Sequence, residues 1–141
     1  MAAFAFTDAF IEINSVDLSD LGVQLTVDMN IELLDNTAFG HTARTSAPGL
    51  KVGGAQIVFL QDYGADEVDI TVFPLWNAGT VFAFAWRPVK STAISVTNPE
   101  YRANMVIESY QPVGEGVGDQ AKAPVTLTNA SAAGWVRAIS A

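Results

Sequence analysis

Residues 23–33, VQLTVDMNIEL, alternate apolar and polar without a break, with Val23, Leu25, Val27, Met29, Ile31 and Leu33 on one side and Gln24, Thr26, Asp28, Asn30 and Glu32 on the other. So long a period of two is incompatible with an α-helix and demands an extended strand that is wet on one face. At about 3.4 Å per residue the strand runs to about 35 Å, past the usual five or six residues. Shorter stretches of strand character recur at 9–16 (AFIEINSV), 55–60 (AQIVFL), 80–86 (TVFAFAW), 102–110 (RANMVIESY), 124–129 (PVTLTN) and 135–140 (WVRAIS). About seven strands predict a mainly β chain, an antiparallel β-sandwich or barrel, in one domain over 1–141.

Two connections exceed the two to five residues, roughly, of ordinary hairpin loops. Residues 34–54, LDNTAFGHTARTSAPGLKVGG, are expected to form a long loop that is functional or becomes ordered against a partner. Residues 111–123, QPVGEGVGDQAKA, carry Gly114, Gly116 and Gly118 at alternate positions. One helix is expected over 66–76, with Asp66 as its cap, Glu67 and Asp69 in the first turn, and Val68, Val72, Leu75 and Trp76 at helical spacing. The β-branched run VDITV and Pro74 support the competing reading, a further strand.

Only 16% of the 141 residues are charged while 50% are hydrophobic, against a typical charged fraction of about 25%. Much of the exterior is therefore uncharged or covered, which points to an assembly. The net charge of −8 is unevenly spread: residues 1–69 balance to −9, residues 70–141 to +1, and the first 35 residues hold seven acids and no base. Nucleic-acid readers need clustered Lys and Arg to neutralise phosphates, so a DNA or RNA reader is not expected, although a surface that repels DNA stays open. The start, MAAFAFTDAF, has no basic n-region, and the longest uncharged run, between Asp69 and Arg87, is broken by Pro74, Asn77 and Gly79. Neither a secretory signal nor a membrane span is expected.

Catalytic chemistry finds no foothold. There is no cysteine, and the single histidine, His41, lies near Thr42, Thr45 and Ser46 without a GxSxG elbow. Asp28 and Glu32 share a strand face about 14 Å apart, beyond the 5–10 Å or so of glycosidase carboxylate pairs. Asp62, Asp66, Glu67 and Asp69 lack the ligand alternation of a calcium loop, and the glycines of 114–118 lack a following Lys-Ser/Thr. No catalytic residue, metal site or cofactor is expected, and the chain is not read as an enzyme. Phe82, Phe84 and Trp86, with Trp76 and Trp135, suit either a sandwich core or a sugar-stacking platform, and the alternation of the first three favours core.

In order and spacing, TAFGHTAR and PGLKVGG at 37–54, FLQDYGADEVDITVFPLW at 59–76, FAWRP at 84–88, TNPEY at 97–101, YQPVGEGVGD at 110–119 and GWVRA at 134–138 make the chain resemble the major tail tube proteins of long, non-contractile-tailed bacteriophages, the actinobacterial siphophage type. Where that family commonly has Gly-Asp-Thr, this chain has Gly40-His41-Thr42. The resemblance implies a β-sandwich-like subunit with one flanking α-helix, whose strands join an inter-subunit β-barrel. It further implies hexameric rings stacked into a tube that conducts double-stranded DNA from capsid to host without specific binding. The expected partners are other copies of the chain and the tape measure, tail terminator and distal tail proteins, in a virion tail assembled in the host cytoplasm. Within that frame Asp28, Asn30, Glu32 and Glu108 are expected to face the lumen, and Thr37, Phe39, His41, Arg44 and Pro48 to belong to an inter-ring loop. Competing readings are a tail terminator, a capsid decoration protein, the inner tube of a contractile injection system, and a carbohydrate-binding sandwich.

Overall fold

The computed structural model describes residues 5–140. The elements in chain order are β1 (Phe10–Ile13), β2 (Val16–Asp17), a short 3-10 turn (Ser19–Leu21), β3 (Gly22–Asp35), β4 (Ser46–Leu60), α1 (Val68–Ala78), β5 (Phe82–Arg87), β6 (Glu100–Tyr110), β7 (Lys122–Asn129) and β8 (Val136–Ala138). The eight strands form one antiparallel sheet in the order β2-β1-β5-β6-β7-β4-β3, with β8 pairing β6. The 3-10 turn joins one end of this sheet to the other. Leu18 donates to the Ile11 carbonyl at 3.0 Å and Ile11 to the Ser19 hydroxyl at 2.9 Å, and Gly22 lies against the Ile11 side chain. The sheet thus curls around its own core, as a period-2 chain must when the described residues include only one α-helix to cover it.

The expected strand at 9–16 is two strands. Asn14 and Ser15, at φ 51° and 68°, make a two-residue turn between β1 and β2, the hairpin geometry that suits twisted strands. The helix is present and the alternative of a further strand is not, but it spans Val68–Ala78. Asp66 does not cap it: it sits at φ 57°, and Glu67 occupies the cap position without a side-chain hydrogen bond. Pro74 lies inside the helix, which runs on for another turn to Gly79, whose left-handed φ of 64° ends it.

The long loop expected over 34–54 is mostly strand. β3 reaches Asp35 and β4 starts at Ser46, with Leu33 opposite Pro48, Leu34 opposite Ala47 and Asp35 opposite Ser46, so only residues 36–45 turn between them. The core gathers Ile11 and Ile13 of β1, Ile57 and Phe59 of β4, Val68, Val72 and Leu75 of α1, Phe82 and Phe84 of β5, and Met105, Val125 and Leu127. The aromatics do not form one platform. Phe82 and Phe84 are buried, Trp86 stacks on Tyr101 at the core margin with centroids 4.8 Å apart, and Trp76 lies outward on α1.

Candidate functional site

β7 pairs β4 only from Gly54 to Leu60, so Ser46–Gly53 has β3 as its sole strand neighbour. About 27 Å of two-stranded ribbon therefore runs on past the end of β7. β3 is also the last strand in the sheet order, and among the described residues no strand pairs its outer edge. The apolar side of β3 meets the core only through Leu25 and Val27. Beyond them Met29, Ile31 and Leu33 are exposed, as are Leu34, Leu50 and Val52. The expectation of one wet face is thus corrected: past Val27 both faces are wet in the single subunit, because the ribbon has outrun its sheet.

The base of the ribbon is pinned. Trp135 packs edge-on against Phe84, 5.9 Å between centroids, and its indole N–H donates to the Asp28 carbonyl at 3.2 Å. Its ring fills the space over Gly53, where a Cβ would come within 2.8 Å of Nε1. This clamp joins residues 107 apart in sequence, a separation that no local pattern signals.

On the side of the sheet away from the core, register rows align Asp28, Gly54, Thr128 and Val106 across four strands. Glu108 joins this surface by accepting the Thr128 hydroxyl at 3.0 Å. Alternation along β3 carries Asn30 to the same face, and Glu32 lies against Gly49 of β4 on that side. Asp28, Asn30, Glu32 and Glu108 thus share one solvated face that bears three carboxylates, none of them buried. Towards β5 the same face changes character. Glu100 is buried and accepts from Arg102 at 3.0 Å with Arg87 at 3.6 Å, while the Arg87 guanidinium lies 4.2 Å over the Phe10 ring. Burial, followed by the charge of Glu100, raises the pKa of neighbouring Glu12.

The turn at 36–45 is tied by its own hydrogen bonds. Thr37 accepts from the Thr45 N–H at 2.9 Å, Ala38 donates to His41 Nδ1 at 3.2 Å, and Arg44 pairs with Asp35 at 2.8 Å. Hydrogen bonds from Thr37, with Arg44, hold the Asp35 carboxyl below the usual carboxylate range. Phe39 makes no use of this scaffold and stands fully exposed at the tip. Thr37, Phe39, His41 and Arg44 are therefore together, whereas Pro48 is not in the loop but in β4 opposite Leu33.

One surface went unnoticed in the sequence. α1 buries Val68, Val72 and Leu75 and leaves Ile70, Phe73 and Trp76 outside. The signal for it was present, since almost every position of VDITVFPLWNA is apolar or small.

By fold, the chain is similar to the tail of an empty gene transfer agent particle refined with C6 symmetry, with a TM-score of 0.76 at 13% identity over 99% of this chain and 100% of that one. It is also similar to the sheath/tube terminator of an extracellular contractile injection system, at 0.73 and 10% identity over 97% of both chains. The SPP1 tail tube matches at 0.69 and 10% identity, over 93% of this chain and 75% of that one. No protein-family model matches the chain, and no curated protein matches it by sequence. The likeness is one of architecture: a mostly antiparallel sheet with a single helix, the fold of tail tube subunits.

Proposed function

We propose that the chain is the tail tube subunit of a long, non-contractile bacteriophage tail, forming hexameric rings that stack into a tube for DNA ejection. The observation that carries this reading is the projecting β3–β4 ribbon, a strand pair too long for its own sheet, open at its edge and apolar without a cover. An isolated protein with such an edge invites aggregation, and a ring removes it by joining edges between copies. The C6 symmetry of the similar gene transfer agent tail supports six copies per ring.

In this reading the face bearing Asp28, Asn30, Glu32 and Glu108 lines the channel. Its carboxylates repel phosphates, so DNA slides instead of sticking. The turn with Thr37, Phe39, His41 and Arg44, and Pro48 behind it, contacts the next ring. The role is structural, without catalysis, in a virion tail assembled in the host cytoplasm, where tape measure, tail terminator and distal tail proteins set its length and ends. The match to a contractile injection system component favours a second reading, an inner tube that needs a sheath.

Electron microscopy of the purified protein over a concentration series, with mass measured in parallel, tests the proposal. Tubes or stacked rings about six subunits around are expected. A monomer at every concentration overturns self-assembly, and tubes that bind a sheath protein select the second reading.

A further inference from the structure

Two uncovered apolar surfaces lie on different parts of the subunit, the ribbon and α1. The ribbon projects past Gly54 and Thr128, with Ile31 and Leu33 exposed on the core side of β3 and Lys51 opposite Ile31. α1 begins towards the other end. Asp69 in its first turn accepts the Tyr110 hydroxyl at 2.8 Å, and Tyr110 pairs with Val125, near the Leu60–Lys122 end of the sheet. From there the helix presents Phe73 and Trp76, rings 5.8 Å apart, 46% and 47% exposed. A helix apolar on every side is one that is covered on every side. The core covers one side of α1, and among the described residues nothing covers the other.

The charges complement each other. Lys51 has no ion-pair partner among the described residues, and at the start of α1 neither does Glu67. Of the acids of the ribbon, Asp28 and Glu32 lie on its opposite face and Asp35 is already paired with Arg44.

We infer that the core-side face of the ribbon of one copy seats on the outer face of α1 of the next copy, with Ile31 and Leu33 against Phe73 and Trp76 and Lys51 against Glu67. A contact between two different surfaces is head-to-tail, and where the rotation between copies does not close a ring each added copy exposes a fresh ribbon or helix. The inference rests on the tube reading and names the surfaces through which the tube lengthens.

Because the chain contains no cysteine, an engineered pair reports this contact without background. Tubes of the Leu33→Cys/Phe73→Cys protein, assembled and then oxidised, are expected to give a ladder of covalent multimers on a non-reducing gel, and Leu33→Cys/Val96→Cys tubes only monomer. Lys51→Glu and Glu67→Lys should each raise the critical concentration for growth about two- to fivefold, and the two together should restore it. Tubes that form without a ladder, with the double exchange no better than either single one, overturn this contact and leave the tube reading standing. A wild-type chain that forms neither rings nor tubes overturns both.

Discussion

Gly53→Ala isolates the clamp at the base of the ribbon. The new Cβ would sit 2.8 Å from Nε1 and 2.9 Å from Cδ1 of Trp135, about 0.7 Å inside a comfortable contact of about 3.5 Å. The indole has little room to yield, because Phe84 holds its ring and the Asp28 carbonyl accepts its N–H. Displacing it forfeits that hydrogen bond, about 1 kcal/mol, and strains the packing, for a total of about 1–3 kcal/mol. Against this, alanine gains about 0.5–1 kcal/mol over glycine in a strand through lost chain entropy. The net expectation is a loss of about 0–2.5 kcal/mol. In a Trp135→Ala background the obstruction is gone, so the same substitution becomes neutral or stabilising. Urea unfolding of the four proteins, followed by far-ultraviolet circular dichroism, measures the coupling. An equal cost of Gly53→Ala in both backgrounds refutes the clamp.

Asn98 is buried, donates to the carbonyls of Val89, Thr92 and Ala93, and accepts from the Val89 N–H. Asn98→Ala should cost about 2–4 kcal/mol by stranding these groups, and should open the 88–99 connection to proteolysis before the rest of the chain. Burial, with the Asp69 carboxylate adding to it, pushes the Tyr110 phenol up to about 12 from 10.0. A raised folded pKa means that its stabilising contribution is complete below pH 10.0 and is lost as pH rises towards about 12. Tyr110→Phe should therefore lose about 1 kcal/mol at neutral pH and show a weaker decline in denaturant midpoint over that alkaline range; an unchanged decline excludes Tyr110 as its source. On the tube reading, Asp28→Lys with Glu32→Lys should slow or trap DNA during ejection from virions, and unchanged ejection kinetics and infectivity would remove these residues from the channel wall.

Much of the sheet was legible because its cause is local. Alternation located β3, β6 and β7, and the alternating Phe82 and Phe84 are core residues as their spacing required. The length of β4 was hidden because residues 46–53, SAPGLKVG, read as turn formers. Their reasons lie across the sheet. Pro48 sits beside the register irregularity at Ile31–Leu33, where the ladder is already broken and its missing N–H is tolerated. A Cβ at Gly49 would come within 3.2 Å of the Glu32 carbonyl oxygen, and one at Gly53 would run into Trp135. The Asn14-Ser15 turn was missed for a simpler reason, since neither residue is the glycine that usually marks positive φ.

The candidate surfaces divide in the same way. Alternation alone put Asp28, Asn30 and Glu32 on one face, while Glu108 joins them only through Thr128 of another strand. The other side of β3 is the more informative. Met29, Ile31 and Leu33 keep the apolar period beyond the last residue that reaches the core, over a stretch where none of the described residues buries them. Binary patterning is maintained where a face is covered, because a strand free in water gains nothing from it. Uncovered, that stripe adds apolar surface to an open edge and with it the hazard of aggregation. On the tube reading, the pattern past Val27 is therefore kept for a contact between copies of the chain.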